Sequence, residues 1–164
     1  MDDNPLKITG CQAARVQKWI NSVLALGKSQ NNSVLIASSL DSSVFLDVAI
    51  EAMSYRGQWV GYLSWIGYPG DHWSDKHPKG QGHGTSVLAK ILAKADALGI
   101  DVVTTPAGGA KYARLVGWYM RHGFFEPIEG KGTLVRNAKG YNARGGNDES
   151  KQIRTPATSG RTHA

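Results

Sequence analysis

Apolar side chains recur at helical spacing in three places along the chain. Val16, Trp19, Ile20, Val23 and Leu24 fall at i, i+3, i+4, i+7 and i+8 and predict an amphipathic helix. Ahead of them, Thr9-Gly10-Cys11-Gln12 has the form of a capping box, with Thr9 as N-cap, and Gly27 stands where the helix should end. A second stripe consists of Val87, Leu88, Ile91, Leu92, Ala95 and Leu98, closed by Gly99. A third helix is predicted from the Ala107-Gly108-Gly109 turn to His122, with Gly123 past its end.

The segments between are shorter and richer in β-branched and aromatic residues. Ser33 to Ser38 predicts a short strand and Trp59 to Ile66 a firmer one, in which Gly61 marks a bulge or a close backbone approach. Residues 43–53 alternate only in part and begin beside helix-capping Asp41 and Ser42, but Val44 and Phe45 tip the expectation to a strand. Ile100 to Thr105 predicts a strand stopped by Pro106, and 124–128 with 132–136 an antiparallel pair. Residues 28–33 predict a polar loop, and 139–164 a flexible basic tail without periodicity. The expected organisation is one domain over 1–138 followed by that tail.

Composition narrows this reading modestly. A chain of 164 residues with 41% hydrophobic and 20% charged content suits one globular domain with a full core. No apolar run is long enough to span a bilayer and Met1-Asp2-Asp3 is unlike a signal peptide, so a cytoplasmic location is expected. Cys11 has no partner for a disulfide and is expected to be a buried structural thiol. The formal charge is +6, of which the tail supplies +3 (Lys139, Arg144, Lys151, Arg154 and Arg161 against Asp148 and Glu149). That balance suits a polyanionic ligand and leaves RNA or an acidic partner open.

The stretch Lys79-Gly80-Gln81-Gly82-His83-Gly84-Thr85 carries the strongest chemical signal. Glycines at every second position let successive backbone N–H groups approach an anion, and the helix that follows directs its positive end to the same place. Two common phosphate motifs fail at named residues. A P-loop needs a lysine where Gly84-Thr85-Ser86 has none, and the dinucleotide fingerprint needs a glycine where Thr85 stands. His83-Gly84-Thr85-Ser86 is similar to the segment around the histidine of subtilisin-like proteases, but no later Gly-Thr-Ser supplies a nucleophile. The segment 67–78 gathers turn formers, aromatics and ionisable groups and predicts a substrate-facing loop. Asp71, His72, Asp75 and His77 within it lack the spacing typical of zinc ligands, so no metal is expected.

Residues 79–85 resemble the Arg/Gln-x-x-Gly-x-Gly/Ala pyrophosphate loop of the GNAT superfamily of N-acetyltransferases. Some 30 residues on, Trp118-Tyr119-Met120-Arg121-His122-Gly123-Phe124 resembles that family's Leu-Tyr-x-x-x-Gly-Phe segment. The resemblance implies an α/β (α+β) fold with a central mixed, mostly antiparallel sheet whose middle strands splay apart, flanked by helices. It implies acetyl-CoA as cofactor, with Lys79, Gly80, Gln81, Gly82, His83, Gly84 and Thr85 around the pyrophosphate. Lys79 stands where Arg or Gln is usual, which keeps the charge and loses the planar fork. Tyr112 stands where the family often has an asparagine that contacts the cofactor.

Acetyl transfer needs a neutral amine, a polarised carbonyl and a proton for the departing thiolate. The resemblance gives that last role to Tyr119; packing on the buried face of its helix is the competing explanation of the same residue. Glu51, Asp71, His72 and His83 are candidate bases, and a water chain could serve instead. The expected function is an acetyl-CoA-dependent N-acetyltransferase acting on an acceptor amine, with RNA or protein as acceptor left open. The alternative is a GNAT-fold module that has lost catalysis and serves binding or assembly.

Overall fold

The computed structural model describes residues 10–69, 81–107, 109 and 111–140. The order is α1 (Gly10–Leu24), β1 (Lys28–Gln30), β2 (Ser33–Ala37), β3 (Phe45–Tyr55), β4 (Gln58–Gly67), α2 (His83–Leu98), β5 (Val102–Thr104), α3 (Tyr112–Arg121) and β6 (Leu134–Arg136). Six strands form one mixed sheet in sequence order, antiparallel throughout except for β4 and β5, which are parallel and joined across α2. The architecture is α+β. Among the described residues no helix is long and apolar enough to cross a membrane.

The helical stripes become one core. Val16, Trp19 and Val23 of α1 and Val87, Leu88, Ile91 and Ala95 of α2 are fully buried against Val34, Ile36, Val48, Leu63 and Val102 of the sheet. Trp19 explains Gly61. A Cβ there would fall 2.5 Å from the indole ring, so only glycine lets α1 come this close to β4, while the indole N–H reaches the Ile91 carbonyl at 3.3 Å. The opposite face carries a smaller cluster of Val60, Val103 and Val135 with Tyr62 and Phe125 packed on it.

The bulge lies at Ser64, three residues beyond Gly61. The register passes from Ala49↔Trp65 to Ile50↔Leu63, leaving Ser64 unmatched, and its hydroxyl bonds the Ala49 carbonyl at 3.1 Å. Just there β4 and β5 cease to pair. Their register ends at Leu63↔Thr104, whereas β4 runs on to Gly67. Pro106, which has no N–H to offer, follows two residues after β5 ends. At the fork the Thr104 hydroxyl donates to the Leu63 carbonyl at 2.8 Å.

Three expectations are corrected. Residues 28–30 are an exposed edge strand paired with β2, not loop; their polar side chains follow from having no neighbour on the outer edge. Residues 124–128 form no strand but a single bridge, Phe125↔Val135, because Pro127 interrupts the backbone and the Glu126 carboxylate folds back onto the Gly130 N–H. Cys11 is exposed, since it precedes the first buried position of α1. Thr9, the 70–78 part of the aromatic loop with Asp71, His72, Asp75 and His77, Gly108, and the tail beyond 140 lie outside the described residues.

Candidate functional site

The glycine turn opens α2 as its sequence requires. Gly82 is the N-cap with φ of 85°, a left-handed conformation that favours glycine, and the first helical bond runs from the Ser86 N–H to the Gly82 carbonyl at 2.9 Å. The amides of His83, Gly84 and Thr85 therefore lie ahead of the helical ladder at the positive end of the helix. Gly84 differs from Gly82. Its φ is not left-handed, and an added Cβ would sit 3.5 Å from the Trp118 ring, an ordinary contact. The fold does not demand glycine at this position.

Side chains fix the turn in place. His83 is buried with Nδ1 2.8 Å from the Ser38 hydroxyl, and the Ser39 N–H donates to the Ser86 hydroxyl at 2.7 Å. Both contacts tie the first turn of α2 to the end of β2. Gln81 and Thr85 are exposed beside it.

A cleft of about 490 Å³ opens in front of these amides. One wall is the end of β4 beyond the fork, Trp65 to Gly67, with Tyr68; the floor is Gln81 to Thr85. The other wall is one stripe of α3, at positions 111, 114, 115, 118 and 121. That stripe brings Lys111, Arg114 and Arg121 to the side that faces the positive end of α2, and no carboxylate lines the cleft among the described residues. Its chemistry suits an anion with an apolar extension. Trp118 closes the gap between the helices, its indole N–H donating to the Thr85 hydroxyl at 3.0 Å.

Tyr119 lies behind this wall rather than in it. It is only 4% exposed, packs edge-on against Phe124 at 5.2 Å, and its hydroxyl is hydrogen-bonded to the Thr104 side chain at the β4/β5 fork. Burial pushes its pKa up to about 12; the Thr104 hydrogen bond opposes that rise, and Tyr62 nearby adds to it. The phenol is protonated through the neutral range.

Of the residues expected from sequence, Gln81, Gly82, His83, Gly84 and Thr85 meet at the cleft floor, and Tyr119 stands at the fork behind it. Lys79 and Gly80 lie outside the described residues. Of the candidate bases, Glu51 is exposed on β3 across from Tyr62, and His83 is turned to Ser38. Tyr112 sets its hydroxyl against Gly132. The sequence reading missed Lys111, Arg114, Trp118 and Arg121 as cleft residues. Their spacing of 3, 4 and 3 along one helix face is the signal that could have found them. No family model, curated protein or solved structure matches the chain.

Proposed function

We propose that the protein is an acetyl-CoA-dependent N-acetyltransferase with a GNAT-like fold, moving an acetyl group from the thioester to an acceptor amine. One observation carries the reading: a cleft that joins the amide end of α2 to Lys111, Arg114 and Arg121 on and just before α3 and runs along the end of β4 that pairs with β3 but no longer with β5. Phosphates at residues 81–85 would have both helix amides and positive charge, with Lys79 and Gly80 completing the loop. The pantetheine arm would lie against Trp65 to Gly67, where β4 has no β5 neighbour and its backbone can bond an extended ligand.

In the reaction the amine nitrogen attacks the thioester carbonyl, the C–S bond breaks, and the sulfur leaves with the electron pair. Tyr119 would supply the proton for that sulfur; because the Thr104 proton lies on the Leu63 carbonyl, the phenol O–H is given to Thr104 and would have to turn from it towards the cleft. A phenol near 12 facing a thiolate whose conjugate thiol is near 8.5 is a poor acid by about 3.5 units, roughly 5 kcal/mol. Tyr119 therefore acts first as a hydrogen-bond donor, and proton transfer is completed as the thiolate loses water in the same fork and grows more basic. The amine loses its own proton to solvent or to a base outside the described cleft.

The absence of a carboxylate from the described cleft lining favours one other reading, a GNAT-fold binding or assembly module without catalysis. Calorimetry with acetyl-CoA, ATP and NAD tests the cofactor: acetyl-CoA is expected to bind alone, and preference for either nucleotide refutes the reading. Free-thiol release from acetyl-CoA across polyamines, aminoglycosides, peptides and aminoacyl-tRNA separates enzyme from module.

A further inference from the structure

Resting on the cofactor reading above, we propose that Trp118 is a positioning residue: its indole holds the Thr85 hydroxyl so that the hydroxyl proton is presented to the anion at the start of α2. The contact between Trp118 Nε1 and Thr85 Oγ1 is 3.0 Å. An indole nitrogen only donates, so this bond has one polarity. It occupies a lone pair of Thr85 Oγ1 and leaves the O–H unspent. A threonine hydroxyl in a helix otherwise tends to turn its proton back to a carbonyl three or four residues earlier, which here means Gln81 or Gly82. The bond accepted from Trp118 does not itself block such a donated one, but among the described residues Thr85 makes no bond to either carbonyl, and Thr85 and Trp118 both line the cleft.

The indole is itself held. Its ring lies 4.9 Å from Tyr119 and meets His122 edge-on at 5.4 Å, centroid to centroid, and a Cβ added at Gly84 would come into ordinary contact with it. A fixed donor on α3 thus orients a hydroxyl on α2 across the mouth of the cleft. Thr85 would add a side-chain hydrogen bond to the backbone amides already directed at the phosphate, and charged acceptors make such bonds about twice as strong as neutral ones.

The test is a double-mutant cycle read by calorimetry with two probes, CoA and inorganic pyrophosphate, on chains whose folding is checked by circular dichroism. Thr85→Val removes the hydroxyl and is expected to weaken binding about tenfold or more. Trp118→Phe keeps an aromatic ring and loses the N–H, and is expected to weaken binding severalfold. The double variant should be no weaker than Thr85→Val alone, and Thr85→Ser should bind like the parent chain. Additive losses, or parental affinity in Thr85→Val, overturn the proposal. If Trp118→Phe fails to fold, Thr85→Val against Thr85→Ser still decides whether the hydroxyl donates to the anion, and equal affinities overturn the proposal. Pyrophosphate binding that shows the expected coupling without any CoA binding upholds Trp118 and refutes the cofactor; binding of neither probe refutes both.

Discussion

Gly84→Ala should raise stability and lower cofactor affinity, two effects of opposite sign from one methyl group. The stability term follows from backbone entropy: glycine in a helix costs about 0.5–1 kcal/mol relative to alanine. Nothing in the fold opposes the gain, because φ at 84 is not left-handed and the new Cβ would lie 3.5 Å and 3.9 Å from two Trp118 ring carbons. For a domain of this size that gain corresponds to roughly 1–4 °C in melting temperature. The affinity term comes from the gap the methyl fills, between the amides of the first turn and the Trp118 wall of the cleft. If it displaces one charged hydrogen bond between phosphate and amide, the loss is about 1.5–3 kcal/mol, or roughly 10- to 150-fold in Kd. Thermal unfolding without ligand and calorimetry with CoA measure the two separately. Higher stability with unchanged affinity would refute the reasoning that this glycine is kept for a ligand. Gly82→Ala is the control: with φ of 85° it should be destabilised by about 1–2 kcal/mol whatever binds.

Tyr119→Phe keeps the ring on Phe124 and should leave CoA affinity intact while turnover falls roughly 10²- to 10⁴-fold, measured as free-thiol release. The same variant should lose part of the alkaline instability of the parent. A folded-state pKa raised to about 12 supports the fold below 10, and that support is lost as pH rises towards 12, an effect on the order of 2–3 kcal/mol. Arg114→Ala and Arg121→Ala should each weaken CoA binding and flatten its salt dependence, and dephospho-CoA should respond less than CoA to whichever cation reaches the extra phosphate. Asp96→Ala should cost roughly 2–3 kcal/mol in chemical denaturation, because it strands Arg136, which is 4% exposed and bidentate to Asp96 at 2.8 and 2.9 Å. Burial raises the Asp96 pKa, but Arg136 and the Lys139 N–H outweigh it and hold the carboxyl below 3.8, so its contribution is lost as pH falls below about 4. His122, lowered by burial and then by Arg121, Arg136 and Lys139, adds acid sensitivity in the same direction from 6.5 downward.

What the sequence made legible is what a single helix or strand decides for itself. The stripes on α1 and α2, the glycine turn ahead of α2 and Gly99 at its end, and the Trp59 to Ile66 strand all follow from periodicity and local backbone chemistry, although α2 begins at His83, one residue before Gly84. What it hid depends on neighbours distant in the chain. Gly61 offered two explanations, and only Trp19, 42 residues earlier, selects the close approach over the bulge. The β1 edge carries no hydrophobic signal because all three of its residues are exposed. On α3 the resemblance over 118–124 drew the reading to Tyr119, while the cationic face acquires meaning only when α2 is set opposite it. Trp118 entered the sequence reading only as the first residue of that segment, because its acceptor, Thr85, lies 33 residues away.

An anion site built on a helix end is useful only if that end does not move when the charge arrives, since reorganisation would consume the binding energy. The contacts around α2 meet that requirement at both ends. At its start, Ser38 with His83 and Ser39 with Ser86 hold the first turn to β2, and Lys90, one turn further on, reaches the Ala37 carbonyl at 2.8 Å. At its finish, the Asp96 carboxylate accepts from both terminal guanidinium nitrogens of Arg136, whose Nε also caps α3 by donating to the His122 carbonyl at 3.1 Å. Arg136 thereby fixes β6, the end of α2 and the end of α3 to one another, and these two helices form the cleft. Between the ends Val87, Leu88, Ile91 and Ala95 are locked in the core. The polar contacts are thus concentrated where the hydrophobic stripe cannot reach, and among the described residues they leave the amides of residues 83–85 without a partner at the floor of the cleft.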